Sequence, residues 1–95
     1  MTRVIARYCA DGYAVEAKGH SGTSPTCTAV SAILGALAGW VGNNAGQHRL
    51  EKGYAHIGFP KQDGAEAVMD MTVIGLLQVQ MAAPDDIKVE ILCEG

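Results

Sequence analysis

Hydrophobic residues in this 95-residue chain recur at two spacings: every second position in short runs, and every third or fourth position in two long runs. The first spacing is typical of a half-buried strand and the second of an amphipathic helix. Residues 2–10 alternate, Asp11-Gly12 matches a two-residue hairpin turn, and residues 13–18 alternate again. The N-terminal part of the chain is therefore predicted to form a β-hairpin.

The first long run predicts a helix that begins at Ser24-Pro25, with Ser24 as N-cap and Pro25 at the first helical position, and ends at about Val41. Its predicted buried stripe consists of Val30, Ile33, Leu34, Leu37 and Val41. Because glycine weakens a helix, Gly35 and Gly39 in its interior predict close packing of the helix backbone against another element.

The second half of the chain repeats this pattern. Residues 47–51 and 54–59 predict a second hairpin, and residues 64–82 predict a second helix capped by Asp63. The predicted buried stripe of that helix is Ala67, Met71, Ile74, Leu77 and Met81. Residues 87–93 alternate once more and predict a final strand.

The predicted order of elements is ββαββαβ. A single domain over residues 1–95 is expected, because the chain has no linker and is too short for a second core. One mixed or antiparallel sheet covered by two helices buries both helix stripes, so the fold class is α/β (α+β), a two-layer sandwich.

The composition indicates which classes of partner and cofactor are not expected. The net charge is −3 and Lys and Arg are scattered singly, so direct nucleic-acid binding is not expected. The longest apolar run, Cys27–Val41, is interpreted as too short and too rich in Gly and Ala for a membrane span. With three cysteines, no CxxC spacing and no recognisable export signal, we expect thiols, no metal, no cofactor and a cytoplasmic location.

Cys27 is the strongest candidate for a reactive group. It falls in the first turn of the predicted helix, where unpaired N–H groups and the helix dipole favour a thiolate. His20 lies seven residues earlier, in a glycine-containing loop that could bring its imidazole to the thiol as a general base. A buried structural cysteine and a solvated histidine are the competing interpretation.

Other polar residues carry weaker signals. His48 and His56 have no Cys or carboxylate at metal-ligand spacing and are predicted to be surface residues. Asp85 and Asp86 precede the last strand and are predicted to be solvated in a turn.

Gly19-His20-Ser21, a short loop, and then Cys27 followed by Ser31 resemble the signature of the ribosomal-processing cysteine protease family (Prp, YsxB-like). The resemblance implies a Cys-His endopeptidase, with Cys27 and His20 as nucleophile and base. It further implies supporting or substrate-binding positions at Gly19, Gly22 and Ser31. The implied substrate is the N-terminal extension of ribosomal protein L twenty-seven, cut after an aromatic residue, and the implied assembly is a homodimer.

One departure leaves alternatives open. Many members have Asp and two aliphatic residues before the cysteine, where this chain has Ser24-Pro25-Thr26. A non-catalytic binding domain of the same family, or a peptidase that trims a phage protein or another protein, are therefore the competing hypotheses.

Overall fold

The computed structural model describes residues 1–19 and 24–94. This part of the chain forms strands β1 (Thr2–Tyr8), β2 (Gly12–Lys18), β3 (Gln47–Glu51), β4 (Tyr54–Pro60) and β5 (Ile87–Cys93), and helices α1 (Ser24–Gly42) and α2 (Ala65–Ala82).

The five strands form one mixed sheet in the order β3-β4-β2-β1-β5. Strand β1 pairs antiparallel with β2 and parallel with β5, while β4 pairs antiparallel with both β2 and β3. Helix α2 crosses from β4, at one side of the sheet, to β5 at the other edge, and β5 then runs parallel to β1. The predicted two-layer α+β fold with the order ββαββαβ is confirmed.

Alternate residues of the central strands build one side of the core, including Val4 and Ala6 in β1 and Val15 and Ala17 in β2. The predicted stripe of α1 lies opposite them: Val30, Leu34, Leu37 and Val41 are buried and Ile33 is partly buried. The strand alternation and the buried side of α1 are thus both as predicted.

The predicted buried stripe of α2 is wrong. Met71, Ile74 and Met81 are 69%, 53% and 74% exposed. The buried side instead consists of Ala65, Met69, Thr72, Val73 and Leu76. Both sets recur at helical spacing, so periodicity alone cannot choose between them, and the packing of α2 against α1 and β5 decides.

The start of α2 also differs from the prediction. Gly64, at φ 83°, occupies the N-cap position, and no described side chain makes a capping hydrogen bond there. Asp63 is therefore not the cap. A left-handed backbone favours glycine at this position, because other residues are strained at positive φ.

Gly35 and Gly39 do not mark a close contact within the chain, contrary to the prediction. Apart from the adjacent helix backbone, no described atom lies within 4 Å of a Cβ built at either position. The close helix–helix contact lies at Gly75, where an added Cβ would come within 3.2 Å of Ile33 Cδ1. Each glycine in the middle of α1 costs about 1 kcal/mol of helix stability relative to alanine.

The length of α1 corrects the expectation that its apolar run is too short to span a membrane. By length and composition, Pro25–Gly42 is long and apolar enough to cross a membrane, with a mean hydropathy of 1.4 over 18 residues. The core helix of a soluble protein meets the same criteria. Here one side of α1 packs into the core against the β3–β4 side of the sheet.

A hydrogen-bonded corner holds the first turn of α1 to the sheet. The Thr26 hydroxyl, on a residue that is almost fully buried, donates to the Asp86 carboxylate at 3.1 Å. The Asp86 carbonyl accepts a hydrogen bond from the Thr2 N–H at 2.9 Å, where β1 and β5 begin side by side. Asp86 was predicted to be solvated, and the structure shows instead that it joins α1 to β1 and β5.

Two methionines on opposite sides of α2 test which side is buried. Met69→Ala should lower the free energy of unfolding by about 2–5 kcal/mol, because it removes a fully buried side chain and leaves a cavity. Met71→Ala, at a position that is exposed in the single chain, should change it by less than about 0.5 kcal/mol when both proteins are dilute enough to be monomeric. Urea unfolding followed by circular dichroism measures both, and equal losses would contradict the packing described here.

A double-mutant cycle tests the Thr26–Asp86 hydrogen bond. Thr26→Val and Asp86→Ala should each destabilise the fold, and the cycle should give an interaction energy of about 0.5–3 kcal/mol, since the two groups share one part-buried contact. Asp85→Ala, which changes the neighbouring exposed carboxylate, is the matched control and should show no coupling to Thr26→Val. An uncoupled Thr26–Asp86 pair in urea unfolding would refute the role of this corner.

Candidate active site

A groove of about 370 Å³ lies between the N-terminal half of α1 and the β3–β4 hairpin. Cys27 and Ser31 line it from α1, Leu50 lines it from the hairpin, and Gly19 lines it at the end of β2. The structure therefore brings three predicted site residues, Gly19, Cys27 and Ser31, to one depression of the surface.

Cys27 is half-buried and lies in the first turn of α1, as predicted. The first backbone N–H groups of a helix have no acceptor within the helix, and the helix dipole makes this end positive. An oxyanion that forms beside Cys27 can be stabilised by such N–H groups. The groove thus gives Cys27 both access to a ligand and a favourable electrostatic position.

Ser31 lies one helical turn after Cys27 and is exposed. Residues four apart share one side of a helix, so both line the same wall of the groove. The serine hydroxyl can donate or accept a hydrogen bond next to a ligand that contacts Cys27.

Gly19 occupies a position that other residues fit poorly. Its φ is +92°, and an added Cβ would come within 2.5 Å of the Met1 carbonyl oxygen. Its N–H donates to the Gly53 carbonyl at 2.9 Å, which ties the end of β2 to the β3–β4 turn. Gly19, which directly precedes His20 in the sequence, thereby fixes one wall of the groove.

His20 and Gly22 lie outside the described residues, so their predicted roles stay predictions. Gly19, immediately before them, and Cys27, a few residues after them, both line the groove.

The Tyr54 side chain lies on the face of the sheet away from α1, since the next residue of β4, Ala55, is buried in the core. Its hydroxyl donates to the Glu16 carboxylate at 3.2 Å, and the Arg49 guanidinium lies 5.9 Å from the centre of its ring. Partial burial and the hydrogen bond to Glu16 raise the pKa of Tyr54. Tyr54 is therefore a neutral hydrogen-bond donor at neutral pH and is unsuited to act as a base.

The sequence analysis missed Leu50 and Gly35. Leu50 lies on edge strand β3 and is 47% exposed at the groove, while Gly35 lines the opposite wall. A glycine in a helix interior was a signal in the sequence, but it was attributed to packing within the chain.

The two histidines of the β3–β4 hairpin are surface residues. His48 and His56 are exposed. In the described ranges, no cluster of three or more His, Cys, Asp or Glu side chains is arranged to hold a metal ion.

Comparison of sequences finds no relatives for this chain. No protein-family model matches it, and no curated protein matches it either.

Solved structures do match. The essential ribosomal processing protease Prp from Staphylococcus aureus, in complex with a covalently linked product peptide, superimposes with a TM-score of 0.81 at 16% identity, over 96% of this chain and 99% of that chain. The same protease with a substrate peptide gives 0.77 at 15% identity, over 96% and 99%. The SMU.848 protein from Streptococcus mutans gives 0.75 at 17% identity, over 98% and 95%.

These matches span nearly the whole of both chains in each comparison, and the sequence identities are too low to show more than a shared fold. Together with the arrangement of β1 to β5 and the two helices, they establish the architecture of this molecule. The chain has the fold of the ribosomal processing protease Prp.

Proposed function

We propose that this chain is a cysteine endopeptidase in which Cys27 is the nucleophile and His20 the general base. The observation that carries the proposal is the position of Cys27 in the first turn of α1, inside a groove of about 370 Å³. The fold is shared with a ribosomal processing protease whose structures hold a substrate peptide or a product peptide.

The proposed chemistry follows from this position. The Cys27 thiolate attacks the carbonyl carbon of a peptide bond, and the N–H groups at the start of α1 stabilise the negative charge on the carbonyl oxygen. The C–N bond then breaks, and the amine leaves with the proton that His20 took from the thiol. Water hydrolyses the resulting thioester and regenerates Cys27.

Ser31 and Gly19 have supporting roles in this proposal. Ser31 donates a hydrogen bond to the bound peptide beside Cys27. Gly19 holds the end of β2 against the β3–β4 turn, and Gly22 is included as a supporting position because of the sequence resemblance.

The proposed substrate is the N-terminal extension of ribosomal protein L twenty-seven, cut after an aromatic residue and before a small one. This part of the proposal rests on the sequence resemblance around His20 and Cys27 and on the shared fold. It includes a cytoplasmic location, where ribosomal proteins are made and thiols stay reduced.

The proposal also includes a homodimer, formed through the outer side of the helix layer. Met71, Ile74 and Met81 expose an apolar stripe on α2, and the small residues Ala32 and Ala36 are exposed on α1. Exposed apolar patches of this kind mark interaction surfaces, and small residues let two helices approach closely. A second copy can place the same surface against it about a two-fold axis.

Cleavage of a synthetic peptide tests the enzymatic proposal. The peptide spans the L twenty-seven extension and the residues after it, and mass spectrometry should show one cut, after the aromatic residue. Cys27→Ala should abolish cutting with the fold intact, and His20→Ala should slow it by about two to four orders of magnitude. Cys93→Ala removes an exposed thiol away from the groove and is the matched control, with an unchanged rate.

Two outcomes would redirect the proposal. If the wild-type protein binds the peptide but leaves it whole over hours, the chain is a binding domain rather than an enzyme. If it cleaves another protein in a Cys27-dependent way and ignores this peptide, the chemistry stands and the substrate is wrong.

Sedimentation at micromolar concentration tests the homodimer. The wild-type protein should sediment at twice the 9.9 kDa mass of the chain. Met71→Glu should give monomers, because it places a charge in the apolar contact. Lys88→Glu, an exposed substitution on β5, is the control and should leave the dimer intact. A wild-type species at 9.9 kDa would contradict this assembly.

A further inference from the structure

Two residues on opposite walls of the groove have features that packing among the described residues does not explain. Gly35 lies in the middle of α1, where glycine weakens a helix, yet no described atom beyond the adjacent helix backbone lies within 4 Å of an added Cβ. Leu50 is 47% exposed, although its neighbour across the β3–β4 ladder, Ala55, is buried. Packing among residues 1–19 and 24–94 requires neither a glycine at position 35 nor an exposed leucine at position 50.

Gly35 lies on the same side of α1 as Cys27 and Ser31, since the three positions are spaced four residues apart. Eight residues of helix separate Cys27 from Gly35 by about 12 Å, at about 1.5 Å per residue. An extended peptide advances about 3.3 Å per residue. A peptide bond held at Cys27 therefore places the third or fourth residue beside it next to Gly35.

The chemistry of this part of the groove favours an apolar side chain. Val30 and Leu34 line the groove between Cys27 and Gly35. Of the described lining residues, Glu51 and Lys52 carry charge, and their charges are opposite. A ligand side chain here contacts apolar surface, and the two nearby charges are of opposite sign.

We propose that the space between Gly35 and Leu50 is a subsite for one aliphatic side chain of the peptide, three or four residues from the bond held at Cys27. Gly35 determines this specificity, because any larger residue would fill the space that the side chain occupies. The identity of the occupant as a peptide rests on the proposed protease function.

Matched substitutions isolate the subsite from the fold. Gly35→Leu fills the groove, whereas Gly39→Leu places the same side chain one turn further along α1, outside the groove. Both positions are open, and leucine favours a helix more than glycine does, so both variants should fold with a melting temperature at or above that of the wild type.

Two series of thiol-directed peptides measure where an aliphatic side chain is preferred. Each peptide has six alanines, one of them replaced by leucine at successive positions, and a lysine for solubility. A C-terminal chloromethyl ketone extends the peptide to one side of the reacting carbon, and an N-terminal chloroacetyl group extends it to the other. In each reaction the sulfur of Cys27 forms a C–S bond, chloride leaves, and the thiol proton passes to a base or to water.

Mass spectrometry gives the rate of Cys27 modification for each peptide. In one of the two series, leucine at the third or fourth position from the reacting carbon should raise the rate at least about tenfold over the all-alanine peptide. Filling an apolar pocket typically gives a gain of this size. Gly35→Leu should abolish that preference, so that its Cys27 reacts with the leucine peptides no faster than with the all-alanine peptide. Gly39→Leu should keep the preference.

A preference that survives in Gly35→Leu overturns the proposal, as does labelling of Cys27 without preference for any leucine position. If no peptide labels Cys27, the proposed protease function fails, and the subsite is then judged by binding alone. The same leucine peptides, as amides, are titrated into ¹⁵N-labelled protein. Shifts of the Gly35 and Leu50 amide signals in the wild type, together with loss of the Leu50 shift in Gly35→Leu, support the subsite, and unchanged wild-type signals overturn it.

Discussion

The packing of α1 against the β3–β4 side of the sheet is the interaction on which the candidate site depends. Burial of Val30, Leu34, Leu37 and Val41 fixes how the helix is rotated about its axis. Since residues four apart share a side, this rotation also fixes the direction of the adjacent row, Cys27, Ser31 and Gly35. The core therefore orients the groove wall, although none of these three residues is part of the core.

The corner formed by Thr2, Thr26 and Asp86 completes this arrangement. Hydrophobic burial sets the rotation of α1 but is not directional, so it leaves some freedom to slide along the helix axis. Hydrogen bonds are directional, and the bond from Thr26 to Asp86 holds the first turn where β1 and β5 begin. Cys27 is the next residue, so the corner limits how far the thiol can move relative to the groove.

The likeness to Prp at 16% identity has a physical explanation. A two-layer fold requires alternating strands, two helices with an apolar side, and a core of suitable volume, and many sequences meet these conditions. Function depends on a few side chains instead, so the shared fold alone does not establish it. For this reason the experiments above are directed at Cys27, Gly35 and Met71 rather than at the core.

By itself, the sequence determined the order of elements, the strand alternation, the buried side of α1 and the position of Cys27 at a helix start. These features depend on residues that are close in sequence, whose spacing matches the period of a strand or a helix. The sequence could not determine which side of α2 is buried, because Met69 and Met71 both belong to apolar rows. Only the packing of α2 against α1 and β5 decided between them.

The tertiary structure alone also decided what lies around Cys27. Leu50 reaches the groove from a hairpin more than twenty residues away in sequence, and Asp86 reaches Thr26 across sixty residues. Such contacts leave no periodic signal, because they arise from how the elements pack and not from the spacing within any one of them. Gly35 shows the same limit: the sequence marks it only as a weak point in a helix, and the tertiary structure places it at the groove.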